Sequence, residues 1–226
     1  MLERQIKEKK TGKKLRGKPP KPPDSTPQPS DQINFTDEES RIMPVSGGGF
    51  EQCYNAQATV DMTSMLILGN YVSQNPNDKQ EIEPGLEELD KLPEKLGKAE
   101  KAAIDNGYFS EANVNKLSLK GIEPYISLGR QFHNQSIETR FEKEPEMPEN
   151  PTALELMKYR LKTEEGKKFY AKRKSTVEPV FGIIKEVIGF RRFMLRGLEK
   201  VTGEWNLVCI AYNLKRLCVL KKAIKG

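Results

Sequence analysis

The sequence predicts an α/β fold, a mixed sheet flanked by helices, and three observations carry that expectation. Residues 50–61 alternate apolar and polar with period two, Met65 to Val72 forms a second apolar run of strand length, and behind them the pattern reads helix, strand, helix, strand. A chain of 226 residues is ample for one packed domain.

Residues 1–32 combine a Lys-rich start with six prolines between Pro19 and Pro29. Proline at that density lacks amide donors and favours extended chain, so a disordered, basic, Pro-rich arm is expected, with the folded part at 33–226. Gly47-Gly48-Gly49 gives a flexible approach to the first strand, and with no helix behind it the run is not a phosphate loop. From there Phe50, Gln52, Tyr54, Ala56, Ala58 and Val60 share one face of a half-buried strand running to Asp61. Met62-Thr63-Ser64 then joins it to the second run as an antiparallel hairpin.

Asn77 or Asp78 can cap a helix running toward Leu92, with Ile82, Leu86 and Leu89 on one side. Lys101 to Asp105 is a short buried strand, Ser110 caps a helix that Gly121 ends, and Ile122 to Ile126 is the next strand. Ser127 to Pro151 is polar, aperiodic and broken by prolines, so an insertion or mobile loop is expected over 127–165, with a helix around Ala153 to Lys162. Ser175 and Glu178 fit a capping box, and Pro179 suits a first turn, so the next helix is expected to start at Ser175. A final helix, about Val201 to Leu220, is apolar nearly all round at its centre, which implies burial on every side.

The net charge of +6 is strongly segregated. Residues 1–23 carry net +7, residues 24–157 net −13, and residues 158–226 net +12. Two basic ends suit a polyanion such as nucleic acid or else form solvated faces. No apolar run approaches the ~20 residues of a membrane span, and the basic N-terminus lacks the apolar core of a secretory signal, so a cytoplasmic protein without membrane contact is expected. Three cysteines and one histidine supply neither a disulfide framework nor a zinc knot; Cys209 and Cys218 read as small core residues.

Candidate chemistry lies at two carboxylates and one set of cations. Asp105 ends a buried strand, at the sheet edge where α/β folds place ligands, although Asp-Asn-Gly is also ordinary turn sequence. Glu178 reads either as a cap partner or, given Tyr170, Lys172, Arg173 and Lys174 before it and Lys185, Arg191, Arg192 and Arg196 after it, as a carboxylate among groups that hold an anion.

Gly-Phe-Glu-Gln-Cys-Tyr-Asn-Ala-Gln-Ala-Thr-Val-Asp (49–61), Asp-Asn-Gly-Tyr-Phe-Ser (105–110) and Tyr-Ala-Lys-Arg-Lys-Ser-Thr-Val-Glu-Pro-Val-Phe-Gly-Ile-Ile-Lys (170–185) resemble the DDE transposases of bacterial insertion sequences. Arg191-Arg192-Phe193 and 196–201 extend the resemblance, which covers roughly residues 32–220. It implies an RNase H-like fold and a pair of Mg²⁺ ions held by three carboxylates, which drive in-line attack at phosphorus. It further implies DNA as partner, both element ends and target, and assembly as a homo-oligomer or with an intact transposase. By resemblance Asp105 is the second metal-binding acid and Glu178 the third. The resemblance likewise implies that Tyr170, Arg173 and Lys185, with Arg191, Arg192 and Arg196, grip DNA phosphate.

The first acid of that set belongs on the first strand, in an Asp-Gly-Thr type segment upstream of the hairpin, and nothing like it precedes Phe50. Asp61, Asp31 and Asp37 are the weaker substitutes. The expectation is therefore a C-terminal portion of a transposase domain that lacks its first, central strand and has an incomplete two-metal site. Such a chain would be catalytically impaired, and two sheet edges would be left unpaired. A non-catalytic DNA-binding module or relic is the alternative.

Overall fold

The computed structural model describes residues 33–45, 47–129, 146–147 and 149–225, so the Pro-rich arm lies outside the described residues. Thr36–Gly226 forms one compact unit. Mixed α/β architecture is borne out, but the strands form three two-stranded sheets rather than one.

β1 (Arg41–Pro44) pairs antiparallel with β2 (Phe50–Cys53). The connection between them contains Gly47, Gly48 and Gly49, all at positive φ, which side-chain-bearing residues adopt only with strain. The strand expected over 50–61 is broken at Tyr54: β2 goes with β1, whereas β3 (Asn55–Val60) pairs antiparallel with β4 (Ile67–Ser73). The alternation continues across the break, so periodicity alone could not reveal that the two halves have different partners.

A short 3₁₀ turn, Asp78–Gln80, capped by the Asn77 side chain, leads into α1 (Ile82–Asp90). β5 (Lys101–Ile104) and β6 (Glu123–Ile126) are parallel, joined through α2 (Glu111–Leu119), which Ser110 caps as expected. Neither β3 nor β5 has a second strand neighbour among the described residues. Of the 127–165 stretch, 130–145 and 148 lie outside those residues, and its later part forms α3 (Ala153–Lys162), begun by a capping box of Thr152 and Glu155.

Three expectations are corrected. The helix after α3 does not begin at Ser175. It is α4 (Glu164–Gly182), capped by Thr163, whose side chain accepts from the Gly166 amide. Ser175 Oγ donates instead to the Lys172 carbonyl, and Pro179 lies inside the helix. Residues 164–174 are mostly good helix formers behind a genuine cap, so the helix starts earlier and outweighs the local proline signal. A π-helical segment, Ile183–Val187, continues α4. The final helix, α5 (Leu198–Lys225), is buried on one face only: Val201, Trp205, Cys209 and Tyr212 are in the core, while Leu207, Ile210, Leu214 and Leu217 are exposed. Cys218 is likewise exposed rather than in the core.

Two apolar clusters result. The hairpin β3–β4 and α5 enclose Ile67, Val72, Val180, Ile184, Trp205 and Tyr212, whereas α1, α2, β6 and α3 enclose Ile82, Leu86, Val114, Leu117, Ile126 and Met157. The C-terminal half of α4 supplies Val180 to the first cluster, and its N-terminal half lies against β5 and β6, with Phe169 on Tyr125 at 4.8 Å between centroids.

Candidate functional site

Asp105 follows the last residue of β5 and caps the 3₁₀ turn Asn106–Tyr108, its Oδ1 accepting from the Asn106 amide at 2.8 Å. The turn reading and the ligand reading of this residue therefore do not compete. One oxygen serves the turn, and the other, Oδ2, lies 3.4 Å from Arg173 Nη1.

The turn is held against the hairpin by a polar network that joins the first two sequence motifs. Asp78 Oδ1 accepts from Asn55 at 2.9 Å and from Gln57 at 3.0 Å, and the Tyr108 hydroxyl donates to Gln57 Oε1. Asn113 of α2 donates to the carbonyls of Lys79 and Tyr108. A Cβ on residue 107 would come within 3.0 Å of Asp78 Oδ2, which explains the glycine of Asp-Asn-Gly-Tyr. Burial pushes the Tyr108 phenol far up, so it stays a neutral donor in this network.

α4 meets this strand end with one face. Gly166, Tyr170, Arg173, Thr176 and Val180 recur at helical spacing and are buried or half-buried. The Tyr170 hydroxyl donates to the Ile104 carbonyl at 3.4 Å, and the Arg173 guanidinium lies 5.7 Å from the Tyr170 ring. Burial raises the Tyr170 phenol, partly offset by the charge of Arg173. Arg173 is only 17% exposed, against 56% for Asp105, and its Nε is a buried donor without a partner among the described residues. A buried guanidinium N–H without an acceptor is costly to keep.

Glu178 is placed differently. It follows Arg173 by five residues, which at ~100° per residue puts it roughly 140° around the helix from the face that carries Arg173. It is exposed and, among the described residues, has no hydrogen bond or ion pair. With the helix already running through Ser175, the capping-box role falls away as well. Glu178 shares its face of α4 with Lys167 and Lys174, both exposed, and Lys185, also exposed, follows in the π-helical continuation. These lysines have no acidic partner among the described residues, unlike Lys91, Lys101, Lys116 and Lys120 of the acidic middle, each of which is paired. Lys167 and Lys174 were missed in the sequence as members of a stripe because the helix was expected to begin after them. Thr163 followed by good helix formers was the available signal.

Of the other cations, Arg191 is paired with Glu186, while Arg192 and Arg196 are exposed without such a partner among the described residues. The weaker acids have structural work. Asp37 Oδ1 accepts from the Tyr54 hydroxyl at 2.8 Å and the Gly197 amide at 3.3 Å, and Glu39 Oε2 accepts from the Leu198 amide, so both stabilise the start of α5. Asp31 lies outside the described residues.

Asp61 closes the hairpin, its Oδ2 accepting from the amides of Thr63 and Ser64 and from the Ser64 hydroxyl. Partial burial pushes its carboxyl up, but these donors outweigh it and hold the group below its ordinary value. A carboxyl depressed by folding contributes stability that is fully present above the unfolded value near 4 and lost as pH falls through the folded one. Asp61→Asn is therefore expected to lower stability by about 1 kcal/mol at neutral pH. It should also shrink the loss on acidification between about pH 5 and 3, measured by urea unfolding at each pH. A variant with the wild-type acid limb would refute this role.

Among the described residues, no three acidic, histidine or cysteine side chains gather as a metal-binding group. A guanidinium already faces Asp105 Oδ2, where a divalent cation would have to bind. These residues do not fit a two-metal centre.

Among the described residues, no helix is long and apolar enough to cross a membrane. No curated protein and no solved structure matches the chain. Residues 133–218 match a family model described as Transposase DDE domain, a span that includes α3, α4 and most of α5 with Glu178 and excludes Asp105, and this match bears out the resemblance to DDE transposases read from the motifs.

Proposed function

We propose that the chain is a transposase-family protein of a bacterial insertion sequence that binds DNA through α4 and the segment after it and is impaired in strand cleavage. The observation that carries this reading is the exposed lysine stripe around Glu178 within the segment that matches the transposase model. Arg173, with its unsatisfied donor beside Asp105, is a second anchor for a phosphate oxygen. Mg²⁺ is the ion that the family resemblance implies at Asp105 and Glu178, but among the described residues these carboxylates do not gather into a group that would hold it.

The test is cleavage of supercoiled plasmid carrying element-end DNA, with Mg²⁺ or Mn²⁺, alongside a salt titration of binding to the same DNA. Binding that weakens steeply with salt is expected, with nicking no faster than in Asp105→Ala and Glu178→Ala. Metal-dependent nicking that either substitution abolishes would overturn the impairment and leave the DNA reading standing. Salt-independent binding would overturn the DNA reading itself.

A further inference from the structure

The exposed face of α5 has a regularity that a merely frayed surface lacks. Leu207, Ile210, Leu214 and Leu217 are 69%, 54%, 60% and 48% exposed, and Ile224 is 86% exposed. Their spacing of three, four, three and seven residues places them at the a and d positions of a heptad, with Lys221 at the remaining one. The face opposite, through Val201, Trp205, Cys209 and Tyr212, is already committed to the hairpin. A helix apolar on both sides in water leaves one apolar stripe without a partner, and a heptad stripe is the shape that another helix with the same stripe fills.

We propose that this stripe pairs antiparallel with the same stripe of a second copy of the chain. Charge selects the orientation. The first turns of α5 hold Glu199, Lys200 and Glu204, whereas its C-terminal part holds Lys215, Arg216, Lys221, Lys222 and Lys225. Parallel pairing would stack two strongly basic ends together; antiparallel pairing sets each basic end beside an acidic one and opposes the helix dipoles. In the antiparallel register Leu207 meets Leu217 of the partner subunit and Ile210 meets Leu214 of the partner subunit. Exchange by the two-fold axis gives four apolar layers from four residues, the self-complementarity that a symmetric interface needs. Lys221 then falls opposite Gly203 of the partner subunit, where no side chain opposes its stem and its ammonium reaches the acidic end. The pairing does not depend on DNA.

Light scattering of the purified full chain, without DNA, should give twice the 25.7 kDa monomer mass. Leu214→Glu with Leu217→Glu should give a monomer over the same concentration range, a weakening of dimerisation by at least tenfold. Both side chains are exposed in the single chain, so Trp205 fluorescence should be unchanged in the monomeric variant. Orientation is read by oxidation in a Cys218→Ser background. A mixture of Ile210→Cys and Leu214→Cys chains should cross-link, and Leu214→Cys alone should not. A monomeric wild-type protein, which would leave the stripe to another occupant, overturns the proposal. So does a double-Glu variant that stays dimeric, and cross-linking of Leu214→Cys alone overturns the antiparallel arrangement.

Discussion

Replacing Trp205 by alanine should destabilise the protein by about 3–5 kcal/mol, the range for emptying a large buried aromatic site. The residue is the hub between α5 and the hairpin. Its side chain is 2% exposed, its ring packs on Phe181 at 6.0 Å and Phe190 at 6.2 Å between centroids, and its Nε1 donates to the Gln57 carbonyl at 2.9 Å. Gln57 is also the residue through which Asp78 and Tyr108 are held, so the loss reaches the turn that positions Asp105. Truncation therefore removes apolar burial, leaves a cavity between two helices and a strand, and deprives a buried carbonyl of its donor. Trp205→Phe keeps much of the ring and should cost less, chiefly through the lost N–H. Since Trp205 is the sole tryptophan, the measurement is urea unfolding followed by circular dichroism rather than fluorescence. A Trp205→Ala midpoint within error of wild type would show that α5 does not anchor the hairpin.

Much of this architecture is legible in the sequence because local signals and tertiary partners agree there. Ser110 caps its helix, the helix at 153–162 has the expected bounds, and β5 and β6 lie where short apolar runs place them, whereas Asn77 caps a 3₁₀ turn ahead of α1 rather than α1 itself. Signals that depend on the partner are another matter. The alternation over 50–61 is real, yet it cannot report that β2 turns to β1 while β3 turns to β4. β1 is hardly visible at all, since only Met43 of its four residues is buried. Ser175 and Glu178 satisfy a capping-box spacing, but spacing is silent about whether the preceding residues have already begun a helix.

The candidate site divides in the same way. Asp105 at the end of a short strand, with Gly107 and Tyr108 behind it, could be read from residue type and order, although that strand is half-buried rather than buried. Its ion pair with Arg173 could not, because it depends on which face of α4 meets β5. The sequence grouped Arg173 with Glu178 as neighbours in number, and the helix separates them by rotation. α5 carries the sharpest lesson. An all-round apolar composition says that every face needs cover, and it does not say that the same chain supplies that cover.

If the lysine stripe on α4 is the DNA contact, replacing Lys167, Lys174 and Lys185 together by glutamine should reduce the salt dependence of binding more than any other surface change of equal charge. Each lysine that neutralises one phosphate contributes about 0.9 to the slope of log affinity against log salt, so the triple variant should lose about 2.7. Between 50 and 200 mM salt its affinity should then fall about 40-fold less than that of wild type, and its affinity at low salt should be correspondingly weaker. Lys116 and Lys120 are the control: both are exposed but already paired with Glu83 and Asp90, on the acidic part of the chain, and their replacement by glutamine should leave the slope unchanged. Glu178 supplies the sign test. It is the one carboxylate in the stripe and has no partner among the described residues, so without metal it repels the phosphate that its lysine neighbours attract. Glu178→Gln should therefore tighten binding a few-fold at low salt in the presence of a chelator, an effect that vanishes as screening shortens the range of its charge. A charged residue that served only solubility would change affinity in neither direction. Weaker binding by Glu178→Gln under these conditions, or an unchanged slope in the triple-lysine variant, would place the DNA elsewhere on the molecule.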